Sequence, residues 1–533
     1  MSKNQGYLSL VLHAHLPFVR HPEHDNFLEE RWLYEAITET YIPLIKNFEE
    51  LRQDQIDYKL TISLSPTLIS MLTDSLLQKR YINHLDQLIK LADREVKRTS
   101  NHSQKSKTAR MYLDKFKEAK DIFINQYDKN LITAFKEFEE LGYLELMICG
   151  ATHGYLPLMK EYPEAVRAQI ELAVNTYKQH FEGEPQGIWL PECGYYPGVD
   201  EILADYNLRF FILDTHGLLY ATPRPKYGVF APIYTESGVA AFGRDNKSSK
   251  NVWSAEEGYP GDYNYREYYR DIGFDLPFDY IQPYINQKIR VNTGMKYYKI
   301  TGEDCNLQDK ELYDHQKALD RVKTHAKDFI EKQTEQIEKL NDVMDRKPII
   351  TAPYDAELFG HWWYEGPDFL NSLIRQLDSD EEIIDLISPS DYLKEYPKNQ
   401  VCEPPMCSWG ANGYNDVWLE ESNDWIYRHL HQAADKMIEL ATEYTDPDQL
   451  LERTLNQAAR ELLLAQSSDW AFIMKTNTMV EYAVKRTKSH IHRFFNLYNQ
   501  IKTNDIDIDW LEELENKDNI FPNINYSVYS KEN

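Results

Sequence analysis

The stretch ITAPYDAELFGHWWYEGPDF, Ile350–Phe369, decides how this chain is to be read. It begins as an apolar, β-rich run, delivers Asp355 at its end, and continues into Trp362, Trp363 and Tyr364. A second stretch, GIWLPECGYYPG (Gly187–Gly198), follows the same plan and delivers Glu192. Working outward, five further runs share the apolar habit: YLSLVLHAH (7–15), YKLTISLSP (58–66), LELMICGAT (144–152), FFILDTHG (210–217) and VAAFGRD (239–245). Their hydrophobicity is continuous rather than alternating, which marks strands buried on both faces and hence a parallel sheet. Helix-like stretches separate most of them. Strand–helix alternation with seven such runs predicts an α/β fold built on a seven-stranded β/α (TIM-like) barrel.

Residues 76–140 break the alternation, being helical and charged, and read as a helical insertion between two barrel strands. The Pro-rich segment YPKNQVCEPPMCSWG (396–410) marks a second boundary, after which the chain reads as helices. The expected organisation is a discontinuous barrel over 1–75 and 141–395, the insertion over 76–140, and a helical C-terminal domain over 396–533. Within the last, Ser422 is placed as an N-cap. Ile426, Leu430, Ala433, Met437 and Leu440 then fall on one helical face.

With 533 residues, 42% of them hydrophobic and 13% aromatic, the chain can build a large core in two or three modules. Its 59 basic and 86 acidic residues leave a net charge of −27, which argues against a nucleic-acid partner. Five cysteines without a CxxC pattern fit a reduced, cytoplasmic setting. The N-terminal stretch lacks a signal-peptide pattern, and no run reaches the roughly 18 apolar residues of a membrane helix.

The ends of the strand-like runs carry the chemistry. In a parallel barrel the C-terminal strand ends form one active-site mouth. Glu192 follows Pro191 and precedes Gly194, so a sharp turn pins it. Two carboxylates at such a mouth, Glu192 and Asp355, lose hydration, which raises their pKa. Facing one site they form the minimal machine for breaking a glycosidic bond. His13 and His15 point to the same side of their strand. His153 in GATHGYLP and Asp214 in ILDTHG end two further runs. Packing explains one isolated histidine better than function does, but not three strand ends with the same habit. From spacing alone these imidazoles also fit a metal site. Trp409 and Trp418 lie in the glycine-containing stretch SWGANGYNDVWLEES. Loop tryptophans are less well explained by packing than helical ones. Asp469 and Trp470 interrupt the apolar face of ARELLLAQSSDWAFIM and are placed to reach the mouth.

In these segments the chain resembles glycoside hydrolase family 57. LHAHLP, GATHGYLP, WLPECGY, APYDAELFGHWW and AQSSDWAFI are similar to that family's five characteristic regions, in order. THGYLP, DAELFGHWWYEGP and SWG…VWL look most like its α-1,4-glucan branching enzymes. The resemblance implies a seven-stranded β/α barrel with a helical insertion and a helical C-terminal domain. It implies Glu192 as nucleophile and Asp355 as acid/base of a retaining reaction on an α-glucan. It implies His13, His15, His153, Trp32, Asp214, Arg244, Trp362, Trp409, Trp418, Asp469 and Trp470 as substrate contacts, with no metal and no cofactor. Family branching enzymes cover the site with a mobile loop carrying a tyrosine. The corresponding segment here, 222–249, is short and holds Tyr227 and Tyr234. Phe274 stands where several relatives have tryptophan. These departures imply hydrolysis beside branching, with a hydrolytic α-amylase as the alternative. Two classes are more distant: a metal-dependent hydrolase or deacetylase using His13, His15 and His153, and a non-catalytic glucan-binding protein.

Overall fold

The computed structural model describes residues 4–254, 257–378 and 383–531. All seven apolar runs form strands: β1 (Gly6–Ala14), β2 (Leu60–Leu64), β3 (Leu144–Cys149), β4 (Gly187–Trp189), β5 (Phe210–Leu213), β7 (Ala240–Gly243) and β8 (Ile349–Asp355). Every residue of β1 and β2 is buried, as the unbroken hydrophobicity requires. Three short strands were not foreseen: β6 (Ile233–Tyr234), β9 (Ile384–Leu386) and β10 (Gln400–Val401). Among the described residues the sheet therefore has ten strands rather than seven, in the order β10-β6-β7-β5-β4-β3-β2-β1-β8, with β9 joined to β1. All pairings are parallel except β6 with β7. The sheet curls, so that Arg244, just past β7, makes a parallel bridge to Thr351 in β8. The Asp245 N–H donates to the Thr351 carbonyl at 2.9 Å across the same join.

Parallel strands put their C-terminal ends together. His13 lies at the end of β1 and pairs in register with Asp355, the last residue of β8. His153, Glu192, Asp214 and Arg244 sit just past β3, β4, β5 and β7. One end of the curled sheet thus gathers the polar residues singled out in the sequence.

Between β2 and β3 run the helices Ser75–Arg98, Ser103–Asp121 and Ile132–Glu140. The first is capped by Asp74, whose carboxylate accepts from the Leu77 N–H at 2.9 Å. After β10 come the helices Trp425–Glu443, Gln449–Ala465, Ser468–Thr476, Val480–Thr503 and Ile508–Lys517. Ile426, Leu430, Ala433, Met437 and Leu440 are all buried, as their spacing predicts. Ser422 is not the cap of that helix. Asp424 occupies the N-cap position, and the Ser422 hydroxyl turns back to Glu420. A buried polar network ties two of these helices to the residue that ends a third: Arg493 reaches Asp518 at 2.5 Å and Glu461 at 3.7 Å, and Glu461 binds His490 at 2.6 Å. Buried charges persist only when paired in this way.

Candidate active site

Pro191 opens a single turn after β4, and Glu192 within it adopts a left-handed backbone, φ 63° and ψ 22°. His153, beyond β3, is also left-handed at φ 59°. Such backbones are costly for residues with a Cβ and persist only where surroundings enforce them. The enforcement comes from the C-terminal half of the chain. Trp409 N–H donates to the Glu192 carbonyl at 3.0 Å, and Ser468 N–H to the His153 carbonyl at 2.9 Å.

The same two residues grip the Glu192 side chain. The Trp409 indole N–H donates to Oε2 at 2.9 Å, and the Ser468 hydroxyl donates to Oε1 at 2.9 Å. Ser468 Oγ also lies 2.7 Å from His153 Nδ1, and His153 Nε2 lies 3.0 Å from His13 Nε2. With its one proton on Glu192, Ser468 must accept from His153 Nδ1–H. Burial, and then the neighbouring imidazole, hold both His13 and His153 well below the usual histidine range, so both are neutral. His153 Nε2 therefore accepts from His13 Nε2–H, and His13 Nδ1 faces Ser63 Oγ at 3.2 Å. A directed chain of neutral donors, His13, His153 and Ser468, ends on Glu192.

His15 behaves differently. Its Nδ1 lies 2.8 Å from Ser65 Oγ and its Nε2 3.0 Å from Asp469. Burial works against its charge, but Asp469 outweighs it and raises the His15 pKa. Burial likewise opposes the Asp469 charge, yet His15 draws that carboxyl down to about 2. The pair is an imidazolium–carboxylate.

Burial raises Glu192, with the Trp409 hydrogen bond working the other way. Asp355 is pushed well above the carboxylate range, by burial first and then by Glu357 and Glu192, with Arg244 opposing. Glu357, two residues on, is raised by burial to about 7. Its Oε1 accepts from the Tyr41 hydroxyl at 2.5 Å and the His15 N–H at 3.2 Å. Arg244 donates to Ser249 at 2.8 Å, stands 3.9 Å from Asp214, and lies 5.9 Å from the Trp409 ring. Trp409 packs edge-on against Trp189 and Trp253.

The metal alternative left open by spacing meets an unfavourable donor set. The His15 and His153 rings stack, with centroids 3.9 Å apart and planes 10° from parallel, while His13 meets His153 edge to edge through the two Nε2 atoms. His13, Cys149 and His153, and likewise His15, His153 and Asp469, bring ligand atoms within 4.8 Å of one another, but the lone pairs of the stacked His15 and His153 rings lie in parallel planes. The nitrogens of the three rings are also engaged with one another, with hydroxyls and with Asp469.

The structure thus brings together Glu192, Asp355, His13, His15, His153, Asp214, Arg244, Trp409 and Asp469. Two expected sugar contacts are corrected. Trp418 is 1% exposed and stacks on Tyr155 at 4.3 Å, and Trp470 is 1% exposed with its N–H on the Leu464 carbonyl at 2.8 Å. Both are core residues. Trp32 packs edge-on to Tyr482, and Trp362, 55% exposed, stacks on Tyr268 at 4.7 Å. Neither joins the hydrogen-bonded group around Glu192. The expected lid is corrected too. The Tyr227 hydroxyl binds Asp345, ahead of β8, and Tyr234 lies beside Gln186, Arg209 and Pro397, ahead of β4 and β5. Both tyrosines occupy the end of the sheet opposite Glu192. Phe274 is 54% exposed. Sequence reasoning missed Ser468 and Glu357. The signal for each was adjacency, to Asp469 in QSSDW and to Asp355 in YDAEL.

The chain is similar to several known proteins. Residues 9–405 match Glycosyl hydrolase family 57, and residues 429–529 match the family described as 1,4-alpha-glucan branching enzyme, C-terminal. A 1,4-alpha-glucan branching enzyme of Thermococcus kodakarensis is 34% identical, over 99% of this chain and 79% of that protein. Among solved structures, the alpha-amylase AmyC of Thermotoga maritima is similar with 48% identity and a TM-score of 0.92, covering 98% of this chain and 99% of that one. The branching enzyme of Pyrococcus horikoshii is similar with 31% identity and a TM-score of 0.89, covering 99% and 97%.

The burial of Trp418 has a testable consequence. Trp418→Ala should destabilise the fold by about 3–5 kcal/mol, as large-to-small core changes do. Denaturant unfolding measures this. A loss below about 1 kcal/mol, paired with a selective defect on long glucans, would return Trp418 to the cleft.

Proposed function

Because the chain belongs to glycosyl hydrolase family 57, we propose that it is a retaining 1,4-α-glucan branching enzyme that also hydrolyses its substrate. The single observation that carries this reading is the contrast between its two carboxyl groups. Glu192 is held by two donors that favour its ionised form. Asp355 is held protonated by burial and by neighbouring carboxylates. Burial raises both, but the two donors hold Glu192 back while Asp355 goes well above the carboxylate range, and a pair of carboxyl groups separated in this way suits a nucleophile and an acid.

Glu192 attacks the anomeric carbon of an α-1,4-linked glucose, and Asp355 gives its proton to the departing oxygen. A covalent glucosyl–Glu192 ester forms and the cleaved chain leaves. Asp355, now ionised, takes a proton from the incoming hydroxyl. If that hydroxyl is a sugar 6-OH, an α-1,6 branch results; if it is water, a shortened chain results. Asp214, Arg244, His13, His15, His153 and Asp469 line the sugar at the cleavage point, and Trp409 offers a ring edge beside it. The sheet with its flanking helices acts as a TIM-like barrel, the helices of 76–140 as its insertion, and 396–533 as a helical domain that lends Trp409, Ser468 and Asp469 to the site. The reaction belongs to α-glucan metabolism in the cytoplasm, and glycogen-like polymers are the proposed substrate.

The hydrolytic reading is supported by two specific points. The 48% identity is to an enzyme named as an alpha-amylase. Tyr227 and Tyr234 lie at the far end of the sheet, so neither can shield the glucosyl ester from water. We therefore expect amylose to yield both α-1,6 linkages and new reducing ends, with branches in the majority. Linkage analysis beside a reducing-end assay tests this. Reducing ends alone, from every long α-glucan tried, would make the protein an α-amylase.

Glu357 supplies a second test. Its carboxylate opposes ionisation of Asp355, so Glu357→Gln should let Asp355 lose its proton at lower pH. Activity requires Asp355 protonated, so the basic limb of kcat/KM should move down by on the order of one pH unit. The acidic limb, set by Glu192, should move much less. A pH–rate profile shifted equally on both limbs, or not at all, would remove Glu357 from this role.

A further inference from the structure

A groove of about 570 Å³ lies between the start of the helix Trp425–Glu443 and the first half of the helix Val480–Thr503. Its floor is Trp425, Val484 and Ile491, and its rim is Arg428, His429, Lys488 and His492. None of these is acidic, in a chain with 86 acidic and 59 basic residues. Elsewhere on the second helix Arg486 and Arg493 face Asp518, at 3.7 and 2.5 Å, and Lys502 faces Glu439 and Glu443. Arg428 and Lys488 are not matched among the described residues. Arg428 donates from Nε to His429 Nε2 at 3.3 Å, and the Lys488 ammonium lies 5.6 Å from the Trp425 ring. His429 accepts that bond as a neutral imidazole, its pKa lowered by burial and by Arg428. The outer nitrogens of the guanidinium are left for a partner.

Two exposed, unmatched cations flanking an indole floor in a molecule of net charge −27 are a local reversal of sign. An anion between them removes their mutual repulsion and accepts charge-assisted hydrogen bonds from both. The indole with Val484 and Ile491 offers a flat apolar face for a ring. The volume falls within the roughly 300–1,000 Å³ common for small-molecule sites. We propose that this groove binds a small phosphorylated ligand, with phosphate seated between Arg428 and Lys488 and the attached ring lying on Trp425. A sugar phosphate and a nucleotide share this chemistry. None of the residues that line it is shared with the catalytic group around Glu192.

The test is isothermal titration calorimetry of the full-length protein with glucose 6-phosphate, ADP, inorganic phosphate and maltose. We expect saturable, salt-sensitive binding of glucose 6-phosphate or ADP, tighter than either inorganic phosphate or maltose. The tighter of the first two assigns the source. The double variant Arg428→Gln/Lys488→Gln should weaken it at least about tenfold, roughly 1.4 kcal/mol. Trp425→Ala should erase the advantage of the ring-bearing ligands over inorganic phosphate. Thermal melts of both variants check that they remain folded; if either does not, Lys488→Gln alone should still weaken binding and its salt dependence. No saturable binding of either phosphorylated probe at millimolar concentration, equal affinity in the charge-neutralised variants, or maltose binding as tightly would each overturn the proposal.

Discussion

The grip on the Glu192 carboxylate is the constraint on which the rest of the molecule depends. Its two donors, Trp409 and Ser468, lie 217 and 276 positions further along the chain. The turn that presents Glu192 is left-handed and has no intrinsic preference for that shape. It is held because the C-terminal region docks against the open end of the sheet and hydrogen-bonds the Glu192 and His153 backbones as well. The sheet and the C-terminal helices are therefore not separable into a catalytic part and a support.

Electrostatics follow from that docking. Four acidic groups, Glu192, Asp355, Glu357 and Asp469, are brought into one desolvated space with Arg244 and a protonated His15 as the facing cations. The charges cannot all be satisfied. Asp469 takes His15 and drops to about 2, Glu192 takes two neutral donors, Glu357 rises to about 7, and Asp355 is left to hold a proton. An imbalance of charge in a dry site thus produces the protonation pattern that retaining glycoside chemistry needs.

The frame and the strand-end residues were legible because both rest on local signals. Unbroken apolar runs mark strands buried on two faces, and parallel pairing then fixes which residues share the mouth. β6, β9 and β10 were not legible, being too short to leave a hydrophobic period. Trp409 and Trp418 stand in one glycine-containing stretch and look alike in sequence. Only tertiary packing turns one indole N–H onto Glu192 and slides the other ring beneath Tyr155. Tyr227 and Tyr234 fail as lid residues for a similar reason: the chain after β5 doubles back below the sheet before β7 begins, a path that no local pattern encodes. Only its adjacency to Asp469 marks Ser468, and a serine beside an aspartate at a helix start ordinarily reads as a cap.

Covalent trapping measures the central claim most directly. A fluorinated α-glucosyl fluoride, which forms the glucosyl ester quickly and releases it slowly, is incubated with the enzyme, and the adduct is located by peptide mass spectrometry. The account predicts one glucosyl adduct, on Glu192 in the peptide spanning WLPECGY. An adduct on a different residue, or turnover with inversion at the anomeric carbon and no adduct at all, would contradict it.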